Sequence, residues 1–177
     1  MSTASGTVGV VIGNPKARSR TRDVAEAVAN ASADVAGLAG ADRITVDLAD
    51  LGPALFDWSS PEVKAAVDGI AGCRLAVVAS PTYKATYTGL LKSFLDWYGT
   101  TGLRGVTVVP VMVGAGPQHA LAVEVHLRPL LVEIGATLPT RGLYVTESEL
   151  GDLSGVIGTW LEEAGPLLAA SVRSSPG

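Results

Sequence analysis

The chain has 177 residues and a net charge of −4; 47% of its residues are hydrophobic and only 17% are charged. This length and apolar content allow one domain with a sizeable core and exclude an intrinsically disordered chain. The acidic balance argues against a general nucleic-acid binder, and a single cysteine excludes both an internal disulfide and a cysteine-rich metal site.

Short apolar segments alternate with amphipathic ones along the chain. The apolar segments predict strands at residues 7–12, 43–47, 75–79 and 106–113 and within 137–145. Helical spacing predicts helices from about residue 21, from Pro61 to about Ala71, through Leu91–Tyr98, from about Gln118 to Ile134 and over Leu153–Ala170. Residues 48–60 are expected to form a loop, and Pro129 predicts a kink or bulge in its helix.

This alternation predicts an α/β fold of three layers, a five-stranded parallel sheet with helices on both faces. We expect the strand order 2-1-3-4-5, which places a crevice between the first and third strands, where open sheets bind ligands. One domain is expected over residues 1–177, with residues 1–6 and 171–177 as loose tails.

Three loops that follow predicted strands carry candidate ligand groups. The first is GNPKARSRT at residues 13–21, which places hydroxyls, an amide and three cations at a helix N-terminus. Such a terminus favours an anion, and a terminal phosphate would suit it. The spacing fits neither a Walker loop nor a dinucleotide fingerprint. A capped helix start with solvated basic side chains explains this loop equally well.

The second loop opens the stretch SPTYKATYTGLLKSFLDW at residues 80–97. It can present backbone amides, tyrosine edges and a lysine charge to a flat ring system, although a turn with two aromatic plugs is an equal alternative. The third loop, GAGPQH at residues 114–119, allows close backbone approach at two glycines. Cys73 is expected to be a small buried residue, and no spacing indicates catalytic or metal-ligating side chains.

Together these three loops resemble the NADPH-dependent FMN reductase family of the flavodoxin-like fold, and within it the reductase components of two-component sulfonate monooxygenases. The family's loops read roughly GSPRxxSRS, SPxYKxxYTGxLKxxLD and GGxxxHxLAxxxxLRPxLxxLGA, and residues 13–21, 80–96 and 114–136 are similar to them. The middle motif is the most specific. The resemblance implies an FMN-dependent NAD(P)H oxidoreductase that supplies reduced FMN to a partner monooxygenase. The alternatives are a quinone, azo or chromate reductase of the same family, or a flavodoxin-type electron carrier.

Carried over by position, the resemblance assigns cofactor-binding residues in each loop. The FMN phosphate would be held by Asn14, Lys16, Ser19, Arg20 and Thr21. The isoalloxazine ring would be bordered by Pro81, Thr82, Tyr83, Lys84 and Ala85, and its far edge by Gly114, Ala115 and Gly116, with His119 after that turn. Asn14 stands where the family has serine, and Lys16 replaces an arginine, which loses a bidentate phosphate contact. No catalytic side chain and no metal ion are expected, because the redox chemistry belongs to the cofactor.

The resemblance implies FMN and NADPH or NADH as cofactors. We expect a homodimer or homotetramer whose subunits meet through the helices that carry Phe94–Tyr98 and Leu127–Ile134. We expect neither a nucleic acid nor a membrane as partner. The N-terminal segment does not read as a signal peptide, and a cytoplasmic location is predicted.

Overall fold

The computed structural model describes residues 6–174, and a parallel β-sheet forms its centre. The strands are β1 (Thr7–Ile12), β2 (Asp42–Asp47), β3 (Leu75–Pro81), β4 (Thr107–Gly114) and β5 (Leu143–Thr146). They are hydrogen-bonded in the order β2-β1-β3-β4-β5, and every pair is parallel. The predicted flavodoxin-like sheet and its order are therefore confirmed. Residues 1–5 and 175–177, parts of the predicted tails, lie outside the described residues.

Helices cover both faces of the sheet. The α-helices are α1 (Arg20–Val35), α2 (Leu48–Leu51), α3 (Pro61–Ala71), α4 (Gly89–Leu95), α5 (Arg128–Glu133) and α6 (Leu153–Ser174). Shorter turns of 3₁₀-helix span Gly52–Phe56, Pro117–His119 and Glu147–Asp152, and a π-helical turn spans Val123–Leu127. Among residues 6–174, no helix combines the length and the apolarity that crossing a membrane requires.

The alternation of side chains along β1 explains the three layers. Val10 and Ile12 pack into a core with α1 and α6, whereas Val11 packs into the opposite core with α3 and α4. Successive residues of a strand point to opposite faces, so a strand with apolar residues throughout must be covered on both sides. The centre of the sheet is therefore rigid, and its carboxyl end is open for loops.

The segment from Leu48 to Phe56 is helical, and the loop prediction for it is wrong. Asp47 begins the first turn, because its Oδ1 accepts a hydrogen bond of 3.3 Å from the N–H of Ala49. Leu48, Leu51 and Leu55 are then buried against the sheet. The leucines are spaced as in a helix, but the glycine and the proline among them are typical of a loop. The sequence pattern alone therefore does not decide between a helix and a loop here.

The chain from Ser171 to Ser174 also differs from the prediction, because it continues α6 and is not a loose tail. The Ser171 hydroxyl lies 2.8 Å from the Thr107 hydroxyl, and Val172 is 2% exposed. These contacts attach the last helical turn to the start of β4.

The irregularity predicted near Pro129 is present as the π-helical turn that precedes α5. Pro129 has no N–H to donate, so a regular helix cannot continue through it with all its hydrogen bonds. After this helix, the Arg128 guanidinium donates to the carbonyls of Leu138 and Thr140. Residues 138–140, which carry these acceptors, lie outside the sheet, and β5 begins only at Leu143.

The side chains expected at a subunit seam lie in the core of the chain itself. Phe94 is 0% exposed, and the Tyr98 hydroxyl donates to the Val67 carbonyl at 3.1 Å. Leu127 and Leu131 are also fully buried. These buried faces are therefore unavailable to a second subunit. The predicted subunit contact through the two helices stays a prediction, and it would use their exposed side chains, such as Val132.

Candidate functional site

The three predicted loops meet in one cavity of about 440 Å³ at the carboxyl end of the sheet. Most of the predicted site residues line it, namely Asn14, Lys16, Ser19, Arg20, Thr21, Pro81, Thr82, Tyr83, Gly114 and Ala115. Lys84, Ala85, Gly116 and His119 lie in the same loops but outside this lining. The cavity also has lining residues that were not assigned from the sequence, namely Arg18, Asp23, Val113 and Glu147.

Asn14 organises the first loop. Its Nδ2 donates a hydrogen bond of 3.0 Å to the Thr21 hydroxyl, and its Oδ1 accepts one of 2.9 Å from the N–H of Lys16. Asn14 is only 8% exposed. The side-chain amide of Asn14, which stands where the family has serine, therefore links the loop to the first turn of α1.

The start of α1 forms the wall of the cavity next to this loop. Ser19 is the N-cap of the helix, and its Oγ accepts a hydrogen bond from the N–H of Arg22. The first N–H groups of a helix lack intrahelical acceptors, and the helix dipole adds positive potential there. With the cations of Lys16, Arg18 and Arg20 beside it, this wall suits a phosphate group.

Two carboxylates also line the cavity and offset part of this positive charge. Asp23 lies in the first turn of α1, and Glu147 follows β5. The Arg20 guanidinium donates from Nη2 to Glu147 Oε1 at 2.9 Å. The predicted phosphate ligand Arg20 is therefore already paired with a carboxylate from the opposite side of the cavity.

A tight turn at residues 83–86 shapes the second loop. The N–H groups of Tyr83 and Thr86 each donate to the other residue's carbonyl, at 2.9 and 3.2 Å. The two central residues, Lys84 and Ala85, have φ of +51° and +68°. Left-handed backbone at residues other than glycine costs about 1–3 kcal/mol each and tends to occur at ligand sites. The turn is thus held in a strained form at the edge of the cavity.

Thr88 joins the first two loops. Its hydroxyl donates a 2.6 Å hydrogen bond to the Gly13 carbonyl and accepts one of 3.1 Å from the N–H of Leu91, which makes it the N-cap of α4. The Ser80 hydroxyl in turn accepts from the N–H of Thr88 at 3.0 Å. The sequence interpretation missed this role, although a threonine directly before an amphipathic helix is a typical capping signal.

The third wall is made mostly of backbone, at the end of β4. A Cβ atom on Gly114 would collide with the Tyr144 hydroxyl and lie 2.8 Å from Tyr144 Cζ, so any larger residue here must displace the Tyr144 ring. Tyr144 is fixed by a hydrogen bond of 2.9 Å from its hydroxyl to the Gly116 carbonyl. Thr82 Oγ1 is buried and has no hydrogen-bond partner among residues 6–174.

These features fit FMN. The start of α1 suits the phosphate by its charge and its free N–H groups, and the backbone of Gly114 and Ala115 lines the same cavity. The unpartnered Thr82 hydroxyl supplies a polar group at the same end of the cavity. Buried polar groups are nearly always hydrogen-bonded, so this hydroxyl is a natural contact for a ligand.

The remaining chemically notable residues lie outside the cavity lining. Cys73 is buried as predicted, its thiol donates to the Gly69 carbonyl at 3.3 Å, and burial raises its pKa to about 11. His126 is exposed in the π-helical turn. Within residues 6–174, no three His, Cys, Asp or Glu side chains come together as a possible metal site.

Comparison with known proteins agrees with this geometry. Residues 7–149 match the family described as NADPH-dependent FMN reductase. The chain belongs to this family. It is 34% identical to the NADH-dependent FMN reductase SfnF of Pseudomonas putida over 151 residues, which are 82% of this chain and 80% of that protein. It is also 35% identical to the FMN reductase (NADPH) of Escherichia coli K12 over 103 residues, which are 58% of this chain and 53% of that protein.

A solved structure shows the same relationship. The fold superposes on the apo crystal structure of the NADH:FMN oxidoreductase EMOB with a TM-score of 0.80 and 28% identity, covering 98% of this chain and 91% of that one. The family predicted from the three loop motifs is therefore confirmed. The individual site residues stay predictions, because the comparisons do not test them.

Proposed function

We propose that this protein is an NAD(P)H-dependent FMN reductase that uses the cavity at the carboxyl ends of β1, β3 and β4. The observation that carries the proposal is that one cavity is lined both by a helix start suited to a phosphate and by the two loops that follow β3 and β4. Membership of the family supports the same reaction.

In this proposal the residues of the first loop hold the phosphate. Lys16 and Arg18 supply positive charge, Arg20 and the first N–H groups of α1 supply directed donors, and Ser19 and Thr21 keep the helix start in place. Charge-assisted hydrogen bonds of this kind are roughly twice as strong as neutral ones. FMN should therefore bind much more tightly than riboflavin, which lacks the phosphate.

The second and third loops hold the ring. The turn at Tyr83–Thr86 and the backbone of Gly114 and Ala115 would border it, and Thr82 would offer its hydroxyl. FMN bound between these loops would supply the hydride-accepting and electron-transferring chemistry. The protein contributes orientation and donors that stabilise the negative charge of the reduced ring.

The names of the relatives indicate which nicotinamides are candidate electron donors. SfnF is named for NADH and the Escherichia coli enzyme for NADPH, so both nicotinamides are candidate donors. We retain the predicted supply of reduced FMN to a partner monooxygenase, and a homodimer or homotetramer as the assembly. Two groups of exposed apolar side chains are candidate subunit contacts. One group lies on the segment before β5 (Leu121, Val125 and Val132), and the other lies near α3 (Phe56 and Trp58). The cytoplasmic location stays a prediction.

A panel of electron acceptors tests the proposed reaction. With NADPH or NADH as donor, FMN should support faster steady-state turnover than a quinone, an azo dye or chromate. A higher kcat/KM for one of those acceptors would reassign the protein within its family. Oxidation of neither nicotinamide, with any acceptor, would favour an electron carrier.

A substitution tests the phosphate assignment. Arg20→Ala should weaken FMN binding by roughly tenfold to 150-fold, since a hydrogen bond to a charged group is worth about 1.5–3 kcal/mol and each 1.4 kcal/mol is a factor of about ten. Riboflavin binding should be unchanged. Arg43→Ala, which removes an exposed arginine of β2, is the matched control. Equal affinity of the Arg20→Ala and Arg43→Ala proteins for FMN would refute the assignment.

A further inference from the structure

Glu147 places a negative charge opposite the proposed phosphate site. Its Oε1 accepts the 2.9 Å hydrogen bond from Arg20 Nη2, and both side chains are solvent-accessible, at 46% and 63% exposure. We propose that Glu147 competes with the flavin phosphate for Arg20 and thereby keeps FMN exchangeable. This inference deepens the proposed function and depends on it.

The position of Glu147 is fixed by its neighbours. Glu149 accepts hydrogen bonds of 2.7 Å from both the N–H and the hydroxyl of Thr146, forming a capping box at the end of β5. These hydrogen bonds lower the pKa of Glu149 and stabilise the turn. Glu147 is therefore held at the mouth of the cavity by a structured turn, and removing its charge leaves that turn intact.

The charge balance of the cavity shows why this pairing matters. Three cations line it (Lys16, Arg18 and Arg20), and Asp23 and Glu147 are the carboxylates among its lining residues. The Arg20 Nη2 that donates to Glu147 is engaged until that ion pair opens, so a phosphate that takes the full fork of the guanidinium must displace the carboxylate. An exposed ion pair is weak, so a phosphate can displace the carboxylate, but the displacement lowers its affinity.

A lower affinity suits a reductase that hands its product to another protein. A flavin held by all three cations without competition would leave slowly. A carboxylate that returns to Arg20 when the phosphate leaves stabilises the empty site and so favours release. Glu147 therefore acts on the flavin through Arg20, as a competitor of the phosphate, and sets the retention of the flavin.

Glu147→Gln tests this directly. We expect the Kd for FMN, measured by quenching of flavin fluorescence, to fall about three- to tenfold at low ionic strength, because a competing ion pair and a nearby like charge are both removed. FMN dissociation, followed by stopped flow, should slow to a similar degree. Riboflavin affinity should not change. Glu62→Gln, an exposed glutamate in the first turn of α3, is the control for overall charge.

A double-mutant cycle separates competition for Arg20 from simple charge repulsion. In an Arg20→Ala background, Glu147→Gln should change the FMN affinity much less than it does in the wild type. The same tightening in both backgrounds would overturn the proposed competition, as would a Glu147→Gln protein that binds FMN no more tightly than the wild type. A wild-type protein that binds no FMN would instead overturn the proposed function itself.

Discussion

Thr88 connects the two loops that define the cavity, so its replacement should reveal how the site is held together. Thr88→Val keeps the shape of the side chain and removes its hydroxyl. The N-cap bond to Leu91 and the 2.6 Å bond to the Gly13 carbonyl are then both lost. Loss of the cap costs about 1 kcal/mol. A buried carbonyl left without a donor adds about 1–3 kcal/mol.

The expected loss in the free energy of unfolding is therefore about 2–4 kcal/mol, measured by urea denaturation. Ser60→Ala is the matched control, because the Ser60 hydroxyl caps α3 at the N–H of Val63 and makes no hydrogen bond to another loop within the described part of the chain. It should cost only the capping contribution of about 1 kcal/mol. Thr88→Ser, which keeps the hydroxyl, should recover most of the loss.

The same substitution should also weaken FMN binding, since the loop at residues 13–21 would no longer be tied to α4. An equal destabilisation by Thr88→Val and Ser60→Ala would refute the argument that this hydroxyl joins the two loops. Unchanged FMN affinity would show that the hydrogen bond from Thr88 to the Gly13 carbonyl has no role in forming the site.

Two further predictions concern Gly114 and Cys73. Gly114→Ala should displace the Tyr144 ring, which lies where the new Cβ would be, and weaken FMN binding at least tenfold. Gly158→Ala, in open space on α6, should stabilise the fold by up to about 1 kcal/mol. Equal FMN affinity in the two variants would contradict a role of the Gly114–Tyr144 contact in shaping the cavity. For Cys73, the neutral thiol stabilises the fold fully below its unfolded pKa of about 8.5, and this contribution is lost as the pH rises through the folded value of about 11. Urea denaturation across this range should show stability falling with pH, and Cys73→Ala should flatten the decline; an unchanged slope would disprove the role of the thiol.

The sequence is a good guide where local signals agree with the tertiary structure. β1 has the predicted bounds, and α3 begins at Pro61 after its Ser60 cap and ends at Ala71, as expected. In these elements the β-branched run, the cap and the proline all favour one structure, so no tertiary contact overrides them. Family motifs then located most of the residues that line the cavity.

The rest depends on contacts between distant parts of the chain. Glu147 reaches Arg20 only because β5 lies at the edge of the sheet on the side of β4, and no local pattern marks that residue. The burial of Phe94 and Tyr98 also depends on which surface covers them, and helical spacing is the same for a core and for a subunit seam. The irregular segment before β5 is set by Arg128, which bonds carbonyls that lie ten and twelve residues later.

An anaerobic titration tests the central claim most directly. The purified protein is first mixed with FMN, and NADPH or NADH is then added while the visible absorbance of the flavin is followed. We predict that at least one nicotinamide bleaches the flavin within the time of enzymatic turnover, and that heat-denatured protein gives no such bleaching. A flavin that stays oxidised with both nicotinamides would contradict the assignment as an NAD(P)H-dependent FMN reductase.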